Sequence, residues 1–320
     1  MPRTAVVALG GNAITRQGQA GTAAEQEENA DRLAAGVADL RAAGWRVVVV
    51  HGNGPQVGNL AIQQQEAAER VPALPLATLV AMTEGALGSL IDLALLRADP
   101  DVGVVSVVTH VVVDGADPAF SNPTKPVGPF MTLDEATHVA DELGWTVGED
   151  AGRGYRRLVP SPAPQKIVEL AAISGLVEQG AVVVAAGGGG VPVLAEGASY
   201  RPVDAVIDKD LAAQRLAAAL HADALVLVTD ISRVQLDFGT DTAREVAEMT
   251  VEEARGHQAD GQFPEGSMGP KIRAAIGFLE EGGTVAVVTD AGRVRASLEL
   301  GPSNGSGTRI VPATRIGAVS

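Results

Sequence analysis

Short apolar runs of valine, alanine and leucine recur along the chain, and most end at a glycine or at a polar stretch that can start a helix. Ala5–Leu9, Trp45–Val50, Ala181–Ala186, Asp223–Thr229 and Thr284–Thr289 read as strands buried on both faces. Helical patterns lie between them. Thr22-x-x-Glu25 forms a capping box, Leu33, Val37 and Leu40 follow at helical spacing, and Gly44 ends the element. The same reading predicts helices over Gln56–Arg70, Thr83–Arg97, Gln165–Gln179, Asp208–Leu220 and Gly269–Glu281, with a strand region over Val102–Val113. This alternation predicts an α/β fold, a three-layer α/β/α sandwich with a mainly parallel central sheet.

The rhythm breaks over 117–164, where prolines cluster and a basic run of Arg153, Arg156 and Arg157 appears. A stretch of this length predicts a small protruding subdomain, a lid over the rest; the alternative is a proline-rich surface excursion. A second β/α series starts near Tyr200. The predicted organisation is therefore two lobes, 1–200 with the subdomain at 117–164, and 201–320, with the boundary near Gly197–Val203.

Composition narrows the function. Hydrophobic residues make up 46% but aromatics only 3%, so valine, alanine, leucine and isoleucine must build the core. The formal charge of −15 disfavours nucleic acid and anionic membranes as partners. The absence of cysteine excludes disulfides, thiolate metal sites and cysteine catalysis. No histidine spacing suggests a metal site, and no signal-peptide layout is present at the N-terminus, so a cytoplasmic protein is expected.

Candidate chemistry lies where apolar runs meet glycine. Ala5–Leu9 runs into Gly10-Gly11-Asn12, Val47–Val50 into His51-Gly52-Asn53-Gly54, and Ala181–Ala186 into Gly187–Gly190. Glycine lets backbone approach a ligand closely, and a helix start beyond it offers free N–H groups to an anion. Neither the mononucleotide G-x-x-x-x-G-K-[ST] loop nor the dinucleotide G-x-G-x-x-G fingerprint occurs, which disfavours those folds and a dehydrogenase. Lysine is scarce, at positions 125, 166, 209 and 271 alone. Lys209 and Lys271 stand at predicted helix starts, against the helix dipole, a placement suited to holding phosphate between lysine and dipole. Asp208 and Asp210 flank Lys209 as helix caps, as partners that orient it, or near a metal-bound nucleotide.

These segments bring a family into view. The chain resembles the carbamate kinases of the amino-acid-kinase fold in Val7–Ala13, His51–Leu60, Asn122–Phe130, Glu149–Gly154, Val159–Pro162, the glycine run 187–190, Val206–Asp210 and Gly266–Lys271, in order along nearly its whole length. The resemblance implies a cytoplasmic homodimer that moves phosphate reversibly between carbamoyl phosphate and ADP with Mg²⁺, making ATP in a catabolic setting such as arginine catabolism. It implies that Gly10, Gly11, Asn12, Gly52, Asn53 and Gly54 face substrate and phosphate, and that Lys125 reaches in from the subdomain. Lys209 and Lys271 would hold the moving phosphoryl group, Asp210 would orient them, and Asp230, Met268 and Pro270 would join them at the nucleotide. Two departures stand out. Glu84 and Ser89 occur where the family reads glutamine and an aromatic residue, either lining the substrate pocket or lying inert on a dimer face. Arg233 stands where a small, acidic or aromatic residue is expected, in the presumed nucleotide lobe. A kinase of a different carboxylate or carbamate-like substrate and a non-catalytic nucleotide-binding regulator are the rival functions.

Overall fold

The computed structural model describes residues 2–10, 13–16, 18–150, 154–301 and 306–312. The first part runs β1 (Thr4–Ala8), α1 (Ala23–Ala42), β2 (Arg46–Val50), α2 (Gly54–Ala67), α3 (Leu76–Ala98), β3 (Val104–Ser106) and β4 (His110–Val113). An inserted unit follows, made of β5 (Lys125–Met131), α4 (Leu133–Leu143), β6 (Val147–Glu149) and β7 (Tyr155–Val159). The chain returns through β8 (Pro164–Ile167), α5 (Leu170–Glu178), β9 (Val182–Val184), β10 (Val191–Glu196) and β11 (Ser199–Pro202). Next come α6 (Lys209–Ala219), β12 (Ala224–Val228), β13 (Val234–Leu236), β14 (Arg244–Val246) and β15 (Glu248–Thr250). The last elements are α7 (Val251–Ala259), α8 (Met268–Glu280), β16 (Val285–Thr289), α9 (Val294–Glu299) and β17 (Thr308–Val311).

Eight strands form one sheet in the order β15-β17-β16-β12-β1-β2-β9-β3. Neighbours are parallel except β16 and β17. Side chains alternate across it. Val6, Val48, Val50, Leu225 and Leu227 point to a core covered by α5, α6, α7 and α8. Ala5, Val7, Val47, Val49 and Val226 point to a core covered by α1, α3 and α9. Burial on both faces explains the uniformly apolar strands, since each buried Val or Leu contributes roughly 1.5–3 kcal/mol. This is the three-layer, mainly parallel architecture that the alternation predicts. The sheet passes without a break through the middle of the chain, because β1 pairs with β2 on one side and β12 on the other.

A second sheet, β11-β10-β4-β8, packs with α2 and the start of α3 around Val57, Val80, Val112 and Val193. The expected strand region Val102–Val113 is therefore two strands: β3 edges the central sheet and β4 joins the second. The helix expected over Gln165–Gln179 begins only at Leu170. Gln165–Ile167 instead extend along β4, where Pro164 at the strand start suits the extended backbone. α3 begins at Leu76, seven residues before the expected Thr83, behind a Pro75 cap with no side-chain hydrogen bond to announce it. Among the described residues α3 is the one helix long and apolar enough to cross a membrane, and half of that apolar window is buried in the molecule.

The inserted unit has its own antiparallel sheet, β5-β7-β6, and a small core of Met131, Ala136 and Val139 against Trp145 and Tyr155. Its arginines hold it together. Arg156 pairs with Asp150 at 3.0 Å and lies over Phe130, while Arg157 lies over Trp145 and reaches Asp204 at 3.3 Å. Arg153 lies outside the described residues.

Candidate active site

Three helices point their N-termini into one cleft of about 800 Å³. α2 starts at Gly54 after Asn53, with Pro55 in its first turn; α6 starts at Lys209 after Asp208; α8 starts at Met268 after Ser267. Asn53 and Ser267 make no side-chain capping bond. Pro55 and Pro270 carry no N–H and the Gly269 N–H is taken by the Pro264 carbonyl at 2.9 Å, so the starts of α2 and α8 offer a ligand chiefly the Gly54 and Met268 N–H groups. Each helix start carries roughly half a positive charge, and three together make a field for an anion. The glycine loop after β1 and the loop after β12 close the cleft through Gly10 and Asp230.

Asp210 lies at the centre, 4% exposed on its side chain. Its Oδ1 accepts from Lys209 Nζ at 2.7 Å and its Oδ2 from Lys271 Nζ at 3.0 Å. Burial alone would push the Asp210 carboxyl up; the two ammonium groups outweigh that and hold it at about 2. Burial, and then the charge of Lys209, push Lys271 down, while Asp210 pulls it back up. Asp208 caps α6 by accepting the Asp210 N–H at 2.9 Å, and its other oxygen accepts from Lys125 Nζ at 2.9 Å. Lys125 thus arrives from the inserted unit, across 83 positions of sequence. Each ammonium group has three donors, and one of them is used on a carboxylate.

Gly188, from the glycine run between β9 and β10, lines the floor of the cleft. Ala186, Gly188, Gly189 and Gly190 all hold positive φ, which folds the run into a tight knot. A Cβ on Gly188 would lie 2.1 Å from the Asn53 amide. Asn53 is buried there and donates to Thr83 Oγ1 at 2.8 Å, so its amide braces the floor. His51 is fully buried behind it. Burial pushes its imidazole down to about 4, against the pull of the Gly52 carbonyl, so it is packed and neutral at pH 7.

Of the residues singled out in the sequence, Gly10, Gly52, Asn53 and Gly54 line this cleft with Lys125, Lys209, Asp210 and Lys271. Asp230, Met268 and Pro270 line it as well. Gly11 and Asn12 lie outside the described residues. Pro270 is the third residue of α8, which begins one residue before the expected Gly269. Arg16 and Asp290 also line the cleft and were not anticipated. Asp290 had a signal: Val228-Thr229-Asp230 and Val288-Thr289-Asp290 are the same triplet, at the ends of the adjacent parallel strands β12 and β16. Glu84 does not line the cleft. It is buried behind the glycine run, while Ser89 lies on the outward face of α3. Among the described residues no three His, Cys, Asp or Glu side chains gather as a metal cage.

A parallel sheet whose strand ends carry glycine loops, with lysines and helix starts turned on one cleft, defines a phosphate-transfer enzyme of the α/β class. The model of the amino acid kinase family matches residues 3–290, and the chain belongs to that family. Within it the chain belongs with the carbamate kinases. It is 43% identical to the carbamate kinase of Pyrococcus furiosus, over 98% of this chain and 100% of that one. It is 42% identical to the carbamate kinase of Trichomonas vaginalis, over 96% and 99%. Its fold superposes on carbamate kinase from Giardia lamblia bound to AMP-PNP with a TM-score of 0.90 at 38% identity, covering 97% of this chain and 98% of that one.

Proposed function

We propose that this chain transfers phosphate reversibly between carbamoyl phosphate and ADP. The observation that carries the reading is Lys209 and Lys271 meeting on Asp210 where three helix N-termini converge, in a chain that belongs with the carbamate kinases. An ADP β-phosphate oxygen attacks phosphorus, the bond from phosphorus to the carbamate oxygen breaks, and carbamate leaves with its negative charge. No proton has to move, so the site needs positioning and charge stabilisation rather than a base.

The N-terminal lobe, 1–200, takes the carbamoyl end, with Gly10, Gly52, Asn53 and Gly54 turned to substrate and phosphate; Gly11 and Asn12, outside the described residues, are assigned to the same substrate. The second half, 201–320, takes the nucleotide beside Asp230, Met268 and Pro270. Lys209 and Lys271 hold the transferring group, Asp210 orients them, and Lys125 is brought in by the 117–164 subdomain acting as a lid. Mg²⁺, bound with the nucleotide phosphates, would supply positive charge to the transferring group. The carboxylates of Asp230 and Asp290 at the strand ends are the hard oxygen donors that suit it, since Mg²⁺ needs only one or two carboxylates beside phosphate.

Carbamoyl phosphate is a high-energy donor, so the enzyme runs toward ATP, in the cytoplasm, in a catabolic role such as arginine catabolism. It works as a homodimer. In support, the outward face of α3 is apolar or small at Met82, Gly85, Ala86, Ser89, Leu93 and Leu96, with Val105 and Val108 exposed at the sheet edge beside it. Glu84 is buried and does not line the cleft, which supports carbamoyl phosphate over a different carboxylate substrate. Initial rates with ADP and either carbamoyl phosphate or acetyl phosphate test the reading. Faster ATP formation from carbamoyl phosphate supports it, and nucleotide binding without turnover overturns it in favour of a regulator.

A further inference from the structure

α3 carries Glu84 into the core directly behind the glycine run, 4% exposed. Its Oε2 accepts from the Thr109 N–H at 3.2 Å. Thr109 is the hinge of that floor. Its Oγ1 accepts from Ala186 N at 2.9 Å, just before the glycines, and its carbonyl accepts from Val191 N at 2.8 Å, just after them. The run is thus pinned at both ends by one residue, and that residue is pinned by Glu84. Gly187 sits between Glu84 and His51: a Cβ there would meet His51 Nε2 at 2.3 Å and Glu84 Cγ at 3.1 Å.

Among the described residues this carboxyl forms no ion pair. His51 is neutral, and Glu169, the nearest charge, is of the same sign and is held by His110. On α3 itself Asp92 bonds Ser106 of β3, and Arg97 at the far end pairs with Glu27 and Asp31 of α1. Among the described residues α2, β9, β10 and the glycine run bring no buried titratable group.

We infer that Glu84 is a positioning residue: its carboxyl holds the Thr109 N–H, and through Thr109 it fixes both ends of the Gly187–Gly190 floor. The inference rests on the floor being part of the carbamoyl phosphate site. Burial pushes Glu84 up to about 9; the Thr109 N–H pulls down, the charge of Glu169 pushes further up, and the Gly187 N–H pulls down. The unfolded chain ionises this group near 4.5, so stability is full below that pH and falls as pH rises through about 9.

The test is KM and kcat for carbamoyl phosphate with ADP in wild type, Glu84→Gln and Glu84→Ala. Glu84→Ala should raise KM about tenfold with kcat little changed, one hydrogen bond's worth. Glu84→Gln, which keeps the shape and an acceptor for the Thr109 N–H, should stay within about threefold of wild type. A Gln variant as impaired as Ala, or an Ala variant with wild-type KM, would overturn the inference. If Glu84→Ala does not fold, Glu84→Leu, which fills the space without an acceptor, takes its place in the comparison. Hydrogen exchange over 186–191 with and without carbamoyl phosphate tests the site itself, because substrate that leaves those amides unprotected refutes the floor's place in the site whatever Glu84 does.

Discussion

Asp210→Asn is the most informative single change, because it keeps shape and removes the charge on which two lysines converge. In the wild type the carboxyl is held at about 2, against 3.8 for an ordinary aspartate. That difference corresponds to roughly 2–3 kcal/mol in favour of the charged fold. Because the pKa is depressed, this stability is present above 3.8 and lost as pH falls through 2. Leaving two nearly buried ammonium groups beside a neutral amide raises the loss toward about 4 kcal/mol, as for other broken buried pairs. For a chain of this length the melting temperature should fall by about 4–6 °C at pH 7. Turnover should fall by roughly 10²–10³, because the lysines no longer hold their geometry at the moving phosphate. Its alkaline limb should move to lower pH, since Asp210 is what pulls Lys271 up. Melting curves and a pH profile of ATP formation read all three. A folded variant with kcat within about threefold of wild type and an unmoved alkaline limb would refute Asp210 as the organiser of the lysines.

Lys271→Ala should lower kcat by roughly 10²–10³ in the same assay, and Lys271→Arg should not restore it, because a planar guanidinium does not replace a compact point charge in a nearly buried niche. Lys125→Ala should act mainly on KM for carbamoyl phosphate, by about tenfold in initial-rate measurements, because its side chain is about one-third exposed and arrives from the inserted unit. Gly188→Ala should cost about 3 kcal/mol in a denaturant melt, since the residue holds φ +65° and its Cβ would meet the Asn53 amide.

Much of this was legible because local rules and the global fold agree. The capping box at Thr22 forms as spelled, with both of its hydrogen bonds. The valine runs are strands because a sheet covered on both faces needs no polar alternation. The misreadings occur where two sheets compete for the chain. Val102–Val113 is one apolar stretch in sequence, but Val107–Thr109 carries it from one sheet to the other, and nothing local marks that step. Lys209 and Lys271 were visible as unusual lysines at helix starts. That both bind one carboxylate follows from packing α6 beside α8 across 61 positions, which spacing cannot reveal. Glu84 depends on helix phase: one position along, the same carboxyl would face solvent with Gly85.

The most direct measurement of the central claim is phosphorus NMR on the purified chain with Mg²⁺, ADP and carbamoyl phosphate. The account predicts that the carbamoyl phosphate signal declines as the γ-phosphate of ATP grows in equal amount, and that ATP with carbamate runs the reaction backward. Carbamoyl phosphate that decays only to inorganic phosphate, at the rate seen without the protein, while ADP is bound, would contradict it.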